Sequence, residues 1–182
     1  MRKQQEKLAA VARLLLRELP KGRAVDPWHL ALIQYLAERK VLGTAMHSIV
    51  ETQFVNTHKG PVGFALIQWL QDWCASASSE IEADLDELED YEISAVRDAM
   101  QEFGSLSVAE LGEYFAAQCP EWKAPASHAV PGETLPFTAI WLALGFEEPD
   151  VTYFDELRRE GEMLDESWEL AERRAAQSGQ FA

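Results

Sequence analysis

Residues 54–73 read FVNTHKGPVGFALIQWLQDW, and this stretch predicts a turn followed by an amphipathic helix. Gly60 tolerates backbone conformations that other residues avoid. Pro61 suits the first position of a helix, because its ring already fixes a helical φ angle. The apolar residues that follow recur at spacings of three and four, which places them on one helical face. They are Val62, Ala65, Leu66, Trp69, Leu70 and Trp73. We therefore expect a helix that begins at Pro61 and buries this face.

The sequence before this stretch predicts two helices and a short extended segment. Residues 8–19 carry an apolar stripe at helical spacing. Asp26 then offers an N-cap with Pro27 at the first helical position. The run WHLALIQYLAER that follows is apolar on most sides, as in a central buried helix, so its histidine, His29, is expected to be capped or in the core. Residues 48–57 are rich in β-branched side chains, which favours a short extended segment.

The sequence after residue 76 predicts more helices. A helix or helix pair is expected over about residues 80–103, with Gly104 closing it. Ser107 and Glu110 have the spacing of a capping box and predict the start of the next helix. Four prolines in residues 120–136 indicate a loop, and the run FTAIWLALGF after it predicts a short helix.

The last part of the chain, residues 147–182, is expected to form a long acidic amphipathic helix. Its apolar positions alternate between spacings of three and four, a pattern that suits packing on another helix. That other helix belongs either to this chain or to a partner, and the sequence leaves both open. The predicted fold class is therefore mainly α. It comprises a compact multi-helix domain at residues 1–146, with the extended segment around residues 48–57, and the C-terminal helix.

The chain is strongly acidic, which argues against binding nucleic acid directly through a basic surface. Its formal net charge is -15 over 182 residues. Residues 80–92 carry eight acids and no base, and residues 147–172 carry eleven acids against two arginines. Each run is either the solvated face of a helix or a contact surface for a basic partner. The residues expected to contact a partner are Glu80, Glu82, Asp84, Asp86, Glu87, Glu89, Asp90, Phe154, Leu157 and Trp168.

No motif in the sequence predicts catalysis, a cofactor or a metal site. The four histidines and two cysteines lack metal-ligand spacing, and no nucleophile elbow, phosphate-binding loop or dinucleotide fingerprint occurs. The carboxylates that could act as a general acid and base lie inside a charge run, where a solvated face is the ordinary interpretation. No apolar run reaches the roughly 18 residues that a membrane span needs. We expect a cytoplasmic protein that is not an enzyme and does not enter a membrane.

Three motifs follow one another in a characteristic order. Gly60-Pro61-Val62 comes first, FG-x-LS-x-x-EL follows at residues 103–111, and P-x-W-K follows at residues 120–123. In their order and spacing they resemble the Panacea domain, the domain of SocA-type antitoxins in bacterial and phage toxin–antitoxin pairs. The resemblance spans roughly residues 8–145.

The resemblance implies an antitoxin that neutralises a cognate protein toxin by direct binding. Eight signature positions are expected to build the fold and not to contact the partner. They are Gly60, Pro61, Val62, Gly104, Ser107, Glu110, Leu111 and Trp122. A basic toxin would suit the two acidic runs, and the sequence leaves homo-oligomerisation open. Two other classes stay open as well: an acidic inhibitor that mimics nucleic acid, as in phage anti-defence proteins, and an enzyme of unrecognised type.

Overall fold

The structure is a computed structural model, and it describes residues 2–50, 52–76, 85–122 and 132–146. Within these ranges the chain is mainly helical, as predicted, and carries a small three-stranded sheet. The helices are α1 (Arg2–Glu18), α2 (Pro27–Ala45), α3 (Phe64–Ala75), α4 (Asp90–Phe103), α5 (Val108–Gln118) and α6 (Phe137–Ala143). The strands are β1 (Phe54–Thr57), β2 (Gly60–Gly63) and β3 (Thr134–Leu135).

Helix α2 is the centre of the core, as its sequence predicts. Asp26 accepts hydrogen bonds from the amides of Trp28 and His29, at 2.9 and 3.4 Å, which satisfies free donors of the first turn. All residues from 30 to 38 are buried, because α1, α3, α4 and β2 pack around the helix. His29 is buried too, so the prediction of a core histidine is confirmed. The helix ends before Met46, which adopts a left-handed conformation.

The Gly60-Pro61-Val62 segment is a strand, and the prediction that Pro61 begins a helix is wrong. Residues 60–63 form β2, which pairs antiparallel with β1 and lies at an edge of the sheet, in the order β2-β1-β3. Edge strands are where a sheet tolerates proline. Gly60 has a φ of +139°, which no helix uses. Helix α3 therefore begins three residues later, at Phe64, and Ala65 of the predicted buried face is exposed.

The rest of the sheet differs from the predictions in extent. The predicted extended segment is confirmed in its second half, where β1 covers Phe54–Thr57. Strand β3 lies inside the predicted proline-rich loop and pairs with β1, so the description of that whole region as loop is wrong. The amide of Asn56 donates to the carbonyl of Glu133 at 2.9 Å and extends this pairing.

Helix α4 begins later than the acidic run suggests. Residues 85–89 form a turn, so the predicted helix from about residue 80 is wrong for the residues that the structure describes. Glu92 fixes the start of α4, because its Oε2 accepts the amide of Glu89 at 2.9 Å. Leu88 in the turn is buried.

The capping box at Ser107 and Glu110 is confirmed. Ser107 Oγ accepts the amide of Glu110 at 3.2 Å, and Glu110 Oε2 accepts the amide of Ser107 at 2.7 Å. Helix α5 then buries Leu111 and Phe115. Helix α6 confirms the short helix predicted after the prolines.

The described residues up to Gly145 belong to one compact unit. The predicted acidic helix of residues 147–182 lies outside the described residues. Among the helices that the structure describes, none combines the length and apolarity that a membrane crossing requires.

Candidate partner-binding surface

Four of the ten residues predicted to contact a partner belong to the described part of the chain. Asp86, Glu89 and Asp90 are exposed and Glu87 is half-buried, in the turn before α4 and at its first residue. We call residues 86–90 the acidic turn. The other six predicted contacts, which are Glu80, Glu82, Asp84, Phe154, Leu157 and Trp168, lie outside the described residues.

The acidic turn adjoins an exposed aromatic side chain that sequence reasoning missed. Tyr91 follows the turn directly, in the first helical turn of α4, and is 44 % exposed. Its ring meets that of His47 edge-on, with a centroid separation of 5.3 Å, and its hydroxyl bonds His47 Nε2. Met46, next to His47, is 58 % exposed. We call Met46, His47 and Tyr91 the aromatic edge.

The hydrogen bonds of His47 define its tautomer. Nδ1 lies 2.9 Å from the carbonyl oxygen of Ser48, which can only accept, so Nδ1 carries a hydrogen. In the neutral ring Nε2 then accepts the hydroxyl hydrogen of Tyr91. The imidazole thus links the end of α2 to the start of α4 and fixes the orientation of Tyr91.

Two fully buried carboxylates accept hydrogen bonds from backbone amides next to the aromatic edge and in the acidic turn. Glu38 accepts hydrogen bonds from the amides of Ile49 and Val50 at 2.7 and 2.9 Å, and its Oε2 lies 2.9 Å from Ser48 Oγ, which shares its one hydrogen between this oxygen and the carbonyl oxygen of Val50 at 2.7 Å. Burial raises the pKa of Glu38 to about 7, although these three hydrogen bonds oppose the shift and the charge of Glu92 adds to it. The carboxylate therefore holds residues 48–50 against α2.

Glu92 is the second of these carboxylates, and its side chain is completely buried. It accepts an ion-paired hydrogen bond from Lys7 Nζ of α1 at 2.7 Å. Through its bond to the amide of Glu89 it also anchors the acidic turn. The residues on either side of the aromatic edge are thus each hydrogen-bonded to a buried acid.

A groove of about 280 Å³ lies elsewhere on the domain, between α2, α4, α5 and the residue after α6. Arg39 and Lys40 line it, but both cations are already paired. Lys40 Nζ lies 2.5 Å from Asp98 Oδ2, and Arg39 Nε lies 2.8 Å from Glu121 Oε1. The groove therefore offers little uncompensated positive charge to a ligand.

Glu121 belongs to a buried polar cluster that no sequence pattern indicates. Tyr35 Oη donates to its Oε1 at 2.5 Å, alongside Arg39. Burial, and then the charge of Glu121, raise the pKa of Tyr35, so the phenol stays protonated. Within the described residues Glu121 Oε2 has no hydrogen-bond partner. The cluster joins the end of α5 to α2.

The signature residues make contacts within the domain. Gly60, Pro61 and Val62 are buried in β2, and Leu111 is buried in α5. Trp122 Nε1 donates to the carbonyl of Thr57 at 2.9 Å, which ties the end of α5 to the β1–β2 turn. Gly104 follows α4, and Ser107 and Glu110 cap α5, as described above.

Among the described residues, no three histidine, cysteine or acidic side chains converge as metal ligands would. Comparisons with protein-family models, with curated proteins and with solved structures each found no match to the chain.

Proposed function

We propose that this protein is a non-enzymatic antitoxin of the Panacea type that neutralises a protein toxin by direct binding. The observation that carries the proposal is the exposed acidic turn beside the aromatic edge, on residues that hydrogen-bond to Glu38 and Glu92. The order of the three sequence motifs supports the family, and the surface supports direct contact with a partner.

The proposed partner is a basic protein. Exposed carboxylates attract a cationic surface over long range, which accelerates encounter and disfavours acidic competitors. Raw charge at a solvated rim adds little affinity. Tyr91 would provide most of the affinity, because aromatic anchors dominate the binding energy of many interfaces. The toxin would thus be guided by the acidic turn and held at the aromatic edge.

The competing function is an acidic inhibitor that mimics nucleic acid. Such a mimic relies on many carboxylates over one face, so its binding weakens steeply with salt and is competed by DNA or RNA. The mixture of acids with Tyr91 and Met46 favours a shaped protein contact.

Co-expression with the product of the neighbouring reading frame tests the proposal. We expect that product alone to arrest growth and the pair to grow. The proposal is overturned if the full chain gives no protection, or if nucleic acid displaces the partner.

Matched variants then test the surface. Tyr91→Ala is expected to weaken toxin binding about tenfold or more, as loss of an aromatic anchor does. Phe64→Ala is the control, because Phe64 is 48 % exposed and meets Trp28 edge-on at 6.0 Å, much as Tyr91 meets His47. Equal effects of the two substitutions would reject the aromatic edge as the contact.

A further inference from the structure

Two carboxylates are buried close together beneath the proposed contact surface. The side chains of Glu38 and Glu92 have no exposed area. In the described part of the chain, Lys7 is the one cation that forms an ion pair with either of them, and it pairs with Glu92. Two negative charges in one interior with a single counter-ion repel each other, which favours the neutral form of the less compensated acid.

The hydrogen bonds of Glu38 favour the opposite state. Its Oε2 accepts from the amide of Ile49 and its Oε1 from the amide of Val50, whereas Ser48 Oγ has one hydrogen and lies 2.9 Å from Oε2 and 2.7 Å from the carbonyl oxygen of Val50. A proton on either oxygen removes acceptor capacity at that atom and weakens the bonds made there. The charged acid therefore holds residues 48–50 tightly at an electrostatic cost, and the neutral acid relieves that cost but holds them less well.

We propose that Glu38 is a proton-operated clamp: when its carboxylate takes up one proton, the hold on residues 48–50 loosens and the aromatic edge shifts with them. The link to the aromatic edge is short, because Ser48 also accepts the hydrogen bond that orients His47. The pKa of Glu38, raised to about 7 by burial, places this transition near neutrality. The effect on toxin binding rests on the proposed function, but the clamp itself is a property of this chain alone.

Glu92 interacts electrostatically with Glu38, and the neighbouring elements carry further titratable groups. Helix α4 contributes Glu92 and Tyr91, helix α1 contributes Lys7, and the connection after α2 contributes His47. On α2 itself, the next two residues point elsewhere and pair with Glu121 and Asp98. The imidazole of His47 lies in the same region, so a pH effect there is separated from any contribution of His47 by substituting that residue.

Nuclear magnetic resonance on the full chain, without a partner, makes that separation. The amide resonances of Ile49 and Val50 are followed from pH 5 to pH 9 in the wild type, in Glu38→Gln and in His47→Gln. We expect a common midpoint within about one unit of pH 7 in the wild type and in His47→Gln, and no such transition in Glu38→Gln. Loss of the transition in His47→Gln, with its retention in Glu38→Gln, would overturn the proposal.

A direct measurement on the wild type covers the case in which Glu38→Gln does not fold. The side-chain ¹³Cδ resonance of Glu38 reports its protonation, and a midpoint above pH 6 supports the clamp. A midpoint below pH 5, the range of an ordinary glutamate, refutes it.

A functional measurement follows if toxin binding is established. The ratio of the dissociation constants at pH 6 and pH 8 is expected to differ at least threefold between the wild type and Glu38→Gln, because only the wild type changes its clamp. Equal ratios would reject the link to binding. Failure to bind any toxin would remove the proposed function but leave the resonance titrations unaffected, so the two failures are distinguishable.

Discussion

Replacing Gly60 by alanine is the sharpest test of the packing around the signature strand. An ideal Cβ at this position would lie 2.6 Å from Leu32 Cδ2 and 2.7 Å from Phe115 Cδ2. Both neighbours are fully buried, in α2 and α5 respectively, so neither can move into open space. The φ of +139° at Gly60 is also a conformation that L side chains rarely adopt.

The two effects should add, because one concerns the backbone and the other the packing. Strain at such a φ costs about 1–3 kcal/mol. Overpacking a filled core costs about 1–3 kcal/mol more. The expected loss is therefore about 2–6 kcal/mol, a large part of the roughly 5–15 kcal/mol that stabilises a typical domain.

Urea unfolding of the full chain, followed by far-ultraviolet circular dichroism, measures this loss, with two other glycines as controls. Gly22 has a φ of +83°, and no atom of the described residues lies within 4 Å of an added Cβ, so Gly22→Ala should cost only the backbone strain of about 1–2 kcal/mol. Gly43 lies in α2 with its nearest contact at 3.8 Å, so Gly43→Ala should stabilise the helix by about 0.5–1 kcal/mol. A Gly60→Ala protein no less stable than Gly22→Ala would refute the packing argument.

Three further substitutions test other parts of the domain. Ser107→Ala should lower the free energy of unfolding by about 1 kcal/mol in urea titrations, because the N-cap of α5 is lost, and Ser107→Asp, which can still cap, should not. Trp122→Phe should lower the free energy of unfolding by about 1–3 kcal/mol, because the carbonyl of Thr57 loses the indole donor. Trp73→Phe is the control, since within the described residues the Trp73 indole makes no hydrogen bond. Equal losses in the two variants would contradict a stabilising role for the Trp122 hydrogen bond. The folded-state pKa of Glu38 lies above its ordinary value of 4.5, so its contribution is fully present below about pH 4.5 and is lost as pH rises to about 7. Relative to Glu38→Gln, the wild type should therefore lose on the order of 3 kcal/mol over that interval, as measured by urea unfolding at each pH, and parallel pH profiles of the two proteins would refute the shift.

Local signals in the sequence predicted the helices whose ends are locally capped. Asp26 with Pro27, and Ser107 with Glu110, define the starts of α2 and α5, because a cap depends on side chains within three residues of the amides that it satisfies. The unbroken apolar run of α2 likewise predicted the helix that other elements surround, since burial on all sides leaves no polar face.

The Gly60-Pro61-Val62 segment could not be predicted in the same way. Proline fits both the first turn of a helix and an edge strand, so the sequence is compatible with either. What decides the outcome is packing against Leu32 and Phe115, which are distant in the sequence. The start of α4 presents a similar problem, because Leu85 and Leu88 have the spacing of a helix although residues 85–89 form a turn.

The candidate surface was predicted only in its acidic part. The acids of residues 86–90 could be named from the sequence alone, because a run of charge is visible without knowledge of the fold. The pairing of Tyr91 with His47 could not be predicted, because the two residues are 44 positions apart and local sequence patterns do not report contacts over that separation. The burial of Glu38 could not be predicted either. Glutamate is ordinarily exposed, and nothing in the otherwise apolar sequence of α2 indicates that this one accepts hydrogen bonds in the core.

The acids of this domain divide into two kinds with different physical roles. Exposed carboxylates in the acidic turn stay hydrated, cost little on folding and act at long range. Buried Glu38 and Glu92 lose hydration, and Lys7 compensates only one of them directly. Since apolar replacements of buried ion pairs are often neutral or stabilising, the core alone does not require carboxylates at these positions. Two apolar side chains, however, would leave the amides of Ile49, Val50 and Glu89 without acceptors. The buried acids thus position the residues of the proposed contact surface, and the exposed acids give that surface its negative charge.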